Sequence, residues 1–167
     1  MSKAVIALGA NLGDAKAALQ GAVDELVSTK GITVQAASSV FETEPVGGPE
    51  QPVFVNAIVL IDTSLAPDEL LARAHEIEAH WHRTREVRWG PRTLDVDIID
   101  VEGCISDDEH LTIPHPRAHL RGFVLIPWLD VDPEAKLGEV AISELLKDVD
   151  GSGVRLIEPR LDLVIYS

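Results

Sequence analysis

A single cysteine, Cys104, stands among the 167 residues. One thiol excludes an internal disulfide framework and fits a cytoplasmic setting, where thiols stay reduced. Cys104 reads as a small packing residue rather than a nucleophile. Long apolar runs are missing too: none reaches the roughly 18 residues that cross a bilayer. The opening Met1-Ser2-Lys3-Ala4-Val5 lacks the layout of a signal peptide, and its apolar run stops at Gly9. Positive charge is scarce, since 14 Lys and Arg face 28 Asp and Glu for a formal net charge of −14. That balance argues against sequence-independent nucleic-acid binding, which needs a basic surface. A nucleotide substrate stays open, because a local arginine cluster outweighs distant acids. No P-loop or dinucleotide fingerprint is present. No Ser-His-Asp or Cys-His set stands out, and there is no internal repeat, linker or low-complexity segment. With 46% hydrophobic residues the composition is that of an ordinary globular chain. One domain over residues 1–167 is expected, long enough to bury about 70% of its unfolded surface.

The informative stretch is Arg88-Trp89-Gly90-Pro91-Arg92-Thr93-Leu94-Asp95-Val96-Asp97-Ile98-Ile99. Its second half alternates as a β-strand does, so Leu94, Val96 and Ile98 share one face while Asp95 and Asp97 share the other. Two carboxylates about 6 Å apart repel by roughly 3 kcal/mol at an effective dielectric of about 20. A fold that aims both at one spot needs a cation there or must protonate one. Oxygen ligands of this kind suit Mg²⁺, which takes one or two carboxylates plus substrate phosphates. Just upstream, Arg83, Arg85, Arg88 and Arg92 crowd together in an otherwise acidic chain, and Gly90-Pro91 makes a turn. Taken alone, an Asp-x-Asp beside arginines is equally an edge strand with a solvated loop.

Around it the pattern predicts a strand over Ala4–Leu8 that ends in a turn at Gly9-Ala10-Asn11-Leu12-Gly13. A helix over Ala15–Thr29 follows, with Asp14 as N-cap and Leu19, Val23, Leu26 and Val27 as its buried stripe. Thr33–Phe41 reads as a strand, and Glu42–Pro52 as a Pro- and Gly-rich loop long enough to carry function. Phe54–Ile61 is the strongest strand, with Val55, Ala57, Val59 and Ile61 on one face. On its other face Asn56 is a polar amide among Phe54, Ile58 and Leu60. If buried it needs hydrogen-bond partners, either backbone or the edge of a heterocycle. Pro67 opens a second helix with Leu70, Ala74, Ile77 and Trp81 as its stripe and His75 and Glu78 beside it. Leu111–Pro116 is extended, a helix includes Phe123–Leu125, and Ala141–Leu146 is a short helix. Arg155–Tyr166 closes the domain as a strand or drapes over it. Ala4–Asp97 therefore reads β-α-β-β-α-β, an α+β, ferredoxin-like antiparallel sheet with helices on one face and the C-terminal third added to it.

The chain resembles the 6-hydroxymethyl-7,8-dihydropterin pyrophosphokinases of folate biosynthesis. The resemblance rests on Arg88–Ile99, supported by Leu8–Gly13, Thr43–Gly47, Gln51–Asn56, Ile77-Glu78, Ile113–Arg117 and Arg121–Val124. It covers Ala4–Leu129 and leaves residues 140–167 as an extension. It implies transfer of pyrophosphate from ATP to the pterin hydroxymethyl, by in-line attack on the β-phosphorus, with release of AMP. Asp95 and Asp97 are then expected to hold two Mg²⁺, and Arg83 and Arg92 to neutralise phosphate. His75, Glu78, Arg85, Trp89, Ile98, Thr112, His115 and Arg121 are expected around ATP. Thr43, Pro45, Val46, Phe54, Asn56, Trp89 and Phe123 are expected around the pterin. His110 and Pro116 stand where some members carry arginine and tyrosine. The implied enzyme is a cytoplasmic monomer without nucleic-acid or membrane partners. Two other classes compete: a non-enzymatic ferredoxin-like ligand-binding module, and a metal-dependent phosphoesterase using Asp95 and Asp97.

Overall fold

A computed structural model gives the architecture; it describes residues 1–11, 15–43, 54–85, 94–157 and 160–166, without the side chains of 11 and 82–85. The sheet is built from the strands that carry the alternation. Strand β1 (Ser2–Asn11) is central, with β4 (Phe54–Thr63) on one side and β5 (Leu94–Val101) on the other, both antiparallel to it. On the far edge of β4 lie β2 (Ile32–Ala37) and β3 (Phe41–Thr43), so the strand order is the ferredoxin-like one. The expected single strand over Thr33–Phe41 is thus two. Ser38 makes the break: its N–H donates to the Ile58 carbonyl at 2.8 Å and its hydroxyl accepts the Ile58 N–H at 2.8 Å.

Helices α1 (Ala15–Val27) and α2 (Pro67–Arg85) cover one face of the sheet. Their predicted stripes are buried: Leu19, Val23 and Leu26 from α1, and Leu70, Ala74, Ile77 and Trp81 from α2. They meet Ile6, Leu8, Val55, Val59, Val96 and Ile98 from the strands. Gly31, at φ +93°, turns the chain from α1 into β2 at a backbone angle that L side chains rarely adopt.

The helices of the β-α-β-β-α-β unit thus lie on one face as expected, and the C-terminal addition covers the other. Helix α3 (Gly122–Val131) and the short α4 (Ile142–Leu145) cover the opposite face. Val124, Leu125 and Trp128 of α3 and Ile142 of α4 pack there with Ile58 of β4 and Ile99 of β5. The sheet is therefore the middle of three layers, as its strands demand by being apolar on both sides. The hairpin β6–β7 (Ser106–Asp108, Leu111–Ile113) and the hairpin β8–β9 (Lys136–Leu137, Val140–Ala141) lie outside the main sheet.

The C-terminal segment does both things expected of it. Strand β10 (Val154–Leu156) extends the sheet beside β3. Residues 160–166 then run back over α1, where Gln20 donates to the Val164 carbonyl at 2.7 Å and accepts its N–H at 2.9 Å.

Candidate active site

Strand β5 sorts its side chains as the alternation requires. Leu94, Val96 and Ile98 enter the core beneath α1 and α2, while Asp95 and Asp97 face the α3 side. Both acids line one cavity of about 420 Å³. The same hollow is bordered by Phe54 and Asn56 from β4, Thr43 from β3, and Arg121 and Phe123 at the start of α3. Five residues expected around the two substrates thus meet the two expected metal ligands in one place, from four different elements. A larger hollow of about 930 Å³ opens at the other end of the sheet, bordered by Lys3, Asp100 and Trp128. None of the expected site residues borders it, which makes the smaller cavity the candidate site.

The floor explains why there is a cavity at all. Facing it from β1 are Ala7 and Gly9. Gly9 lies opposite Asn56 on one side and Asp95 on the other; Ala7 lies opposite Ile58 and Asp97. Neither residue is among those expected at the site, because Gly9 reads in the sequence as the start of a turn. The strand instead continues through Asn11. The signal was available: continuing the alternation past Leu8 gives Val5, Ala7, Gly9 on one face, with side chains shrinking toward the site.

Asn56 is 8% exposed and finds a side-chain partner: its Nδ2 donates to the Thr43 hydroxyl at 2.8 Å. With one N–H of Nδ2 engaged by Thr43, the orientation of the amide is set and Oδ1 is an acceptor beside the cavity. A Cβ placed on Gly9 would stand 3.4 Å from that oxygen. A ligand edge meeting Asn56 can therefore offer a donor to Oδ1, and the second N–H of Nδ2 is one further donor of the same amide.

Near the acids, His115 is anchored by its N–H to the Ile99 carbonyl at 2.8 Å, and its Nδ1 accepts the Arg117 N–H at 3.2 Å. Burial holds the imidazole below its ordinary pKa; Arg121 and Arg117 push the same way and Asp97 opposes them. The neutral ring thus carries its proton on Nε2, a donor. Arg121 holds its guanidinium over the Phe123 ring, 5.5 Å from the centroid.

Glu78, expected near the nucleotide, is engaged by the strand that carries the acids. From α2 its Oε2 accepts the Val96 N–H at 2.8 Å, closing part of the free edge of β5. Burial raises its pKa, and the nearby charges of Asp95 and Asp97 raise it further. His75 is exposed on the same helix. Ile98 buries its side chain beneath the helices, so only its main chain is open to a nucleotide. The Thr112 hydroxyl donates to the Asp108 carbonyl at 3.0 Å within the outer hairpin. Pro45, Val46, Trp89 and Arg92, and the side chains of Arg83 and Arg85, lie outside the described residues.

The donor set fits magnesium. Two carboxylates from one strand face share a cavity with room for further oxygen ligands. Among the described residues no group of three or more His, Cys, Asp or Glu forms a closed protein cage of the kind a structural zinc takes.

The comparisons with known proteins cover the stretch of chain that contains these residues. Residues 5–133 match the family model described as 7,8-dihydro-6-hydroxymethylpterin-pyrophosphokinase. The chain belongs to this family. A pyrophosphokinase of Methylorubrum extorquens, named for 2-amino-4-hydroxy-6-hydroxymethyldihydropteridine, is 42% identical over 95% of this chain and 100% of its own length. Its namesake in Bacillus subtilis is 47% identical over 77% of each chain. Among solved structures, wild-type Plasmodium falciparum HPPK-DHPS with pteroate superposes with a TM-score of 0.70 at 15% identity, over 88% of this chain and 44% of that one. At that identity the likeness speaks for the fold. Membership makes this chain a pyrophosphokinase of folate biosynthesis, an ATP-using transferase, and the non-enzymatic alternative falls away. No helix among the described residues is long and apolar enough to cross a membrane.

Proposed function

We propose that the protein transfers the pyrophosphoryl group of Mg²⁺-ATP to the hydroxymethyl oxygen of 6-hydroxymethyl-7,8-dihydropterin, using the cavity between β1, β5 and α3. The observation that carries this reading is the meeting, in one hollow, of a carboxylate pair with an amide and two phenyl rings. One end suits a metal–polyphosphate and the other a flat heterocycle.

Phe54 and Phe123 hold the ring by stacking, and Asn56 Oδ1 accepts from its donor edge. Asp95 and Asp97 hold two Mg²⁺; when bound, the ions neutralise and orient the phosphate oxygens. His115 Nε2–H and the Arg121 guanidinium donate to the polyphosphate, with Arg83 and Arg92 completing the cationic side. The pterin oxygen forms a bond to the β-phosphorus, the bond from that phosphorus to the α,β-bridging oxygen breaks, AMP leaves, and the hydroxyl proton passes to solvent. Such a transfer needs in-line positioning and neutralised oxygens more than covalent help from the protein. His75, Glu78, Arg85, Ile98, Thr112 and Trp89 form the nucleotide's wider surroundings, with Glu78 acting through the β5 backbone. Pro45 and Val46 complete the pterin side beside Thr43. The enzyme works as a cytoplasmic monomer whose single domain takes in residues 140–167.

Purified protein mixed with the pterin, ATP and Mg²⁺ is expected to release AMP only when all three are present. ADP as the product overturns the reading. AMP released without the pterin would favour the phosphoesterase instead.

A further inference from the structure

Gly9 has no backbone reason to be glycine. It sits inside β1, paired on both sides, and it is not among the positive-φ glycines Gly31, Gly103 and Gly138. A glycine within a strand weakens it, through lost side-chain packing and greater freedom in the unfolded chain. What glycine supplies here is space. A Cβ at this position would stand 3.4 Å from Asn56 Oδ1 and 3.6 Å from Phe54 Cε1. Those are ordinary van der Waals separations, so the fold accommodates a methyl group. The methyl would nevertheless occupy the part of the floor that adjoins the amide oxygen and the phenyl ring.

Position on the sheet sharpens the point. Asn56, Gly9 and Asp95 are register partners on three adjacent strands. Strands lie about 4.8 Å apart, so the amide and the acid stand roughly 10 Å apart with Gly9 between them. An acceptor read by Asn56 and reacting above Asp95 must cross Gly9.

We propose that Gly9 is a specificity-determining residue: its bare Cα lets a flat heterocycle with a donor edge sink to Asn56 while its hydroxymethyl arm reaches the carboxylates. The inference rests on reading this cavity as the pterin site. It adds a residue that touches neither phosphate nor metal yet decides which acceptors fit.

The test compares wild type with Gly9→Ala and Gly9→Val, using AMP release with the dihydropterin and ATP varied separately, and thermal unfolding. Gly9→Ala is expected to raise KM for the pterin at least about tenfold, the scale of one misplaced methyl group in a pocket, and Gly9→Val to raise it further. KM for ATP should stay within about twofold. Tm should hold or rise in Gly9→Ala, because alanine restricts the unfolded chain. Acceptor binding and stability then move apart, which a merely structural glycine cannot produce. A pterin KM within about twofold of wild type in Gly9→Ala overturns the proposal. So does a fall in Tm accompanied by equal losses for both substrates. Failure of the wild type itself to release AMP would count against the pterin reading instead.

Discussion

At the scale of single residues, the site depends on groups whose orientation is settled by one neighbour. The Asn56 amide is fixed by its 2.8 Å bond to the Thr43 hydroxyl. Thr43→Val keeps the shape and removes the acceptor, leaving a buried N–H unsatisfied at a cost of about 1–3 kcal/mol. The amide is then free to turn its nitrogen toward the ligand edge. The expected result is a pterin KM raised about tenfold with KM for ATP unchanged, and recovery in Thr43→Ser. Unchanged pterin kinetics in Thr43→Val would show that the hydroxyl does not orient Asn56. Asp97 makes the complementary prediction. It borders the cavity, is half-buried and contributes to the field at His115 and Glu78. Asp97→Ala should abolish turnover while Tm holds or rises, since one of two mutually repelling carboxylates is gone. Turnover near that of wild type would reject the metal assignment.

At the scale of elements, the edge strand β5 carries the acids, and Glu78 closes part of its open side. Gln in place of Glu78 still offers an oxygen to the Val96 N–H but carries no charge. Burial raises the Glu78 pKa above its ordinary 4.5, so the folded protein binds this proton more tightly than the unfolded chain does. The stabilising contribution of this group is complete below 4.5 and is lost as pH rises through the shifted value. Glu78→Gln should therefore melt above wild type at neutral pH, with the gap closing as pH falls through the raised value and closed below 4.5. A gap that widens on acidification would reverse the assigned sign. Strand β5 was also legible from the residues alone, because alternation is a local signal: the faces of Leu94–Ile98 and of Phe54–Ile61 are those the sequence implies. Helix α2 was legible for the same reason, through Leu70, Ala74, Ile77 and Trp81. What stayed hidden depends on partners far along the chain. Gly9 looks like punctuation until β4 and β5 pair on either side of it. Ser38 breaks a strand only because Ile58 offers it both a donor and an acceptor. Helix α3, Gly-Phe-Val-Leu-Ile-Pro-Trp-Leu-Asp-Val, is apolar nearly all round, so no stripe announced which layer it would cover.

At the scale of the whole molecule, the three layers share one sheet. Strand β1 sends Ile6 and Leu8 into the core beneath α1 and α2, and Val5 and Ala7 toward α3. Strand β4 does the same with Val59 on one side and Ile58 on the other. Neither helical layer can separate without stripping one face of strands that the other layer needs, so they should melt together. The molecule carries its own reporters. Trp81 is 9% exposed in the α1–α2 layer, and Trp128 is 3% exposed in the α3 layer. Denaturation of Trp81→Phe and Trp128→Phe variants, followed by the tryptophans that remain, should give transitions coincident with far-ultraviolet circular dichroism measured on the same variant. Leu125, fully buried in the α3 layer, extends the test. Leu125→Ala should cost about 2–5 kcal/mol. It should lower the Trp81 and Trp128 midpoints equally, although Trp81 lies across the sheet. Because α3 also carries Phe123 to the cavity, the catalytic hollow should disappear at that same midpoint and not before it. Loss of the Trp128 signal ahead of the Trp81 signal would mean that the α3 layer is a separate unit docked on a self-sufficient ferredoxin-like core, and the acceptor side of the cavity would then open while the carboxylate strand stays folded.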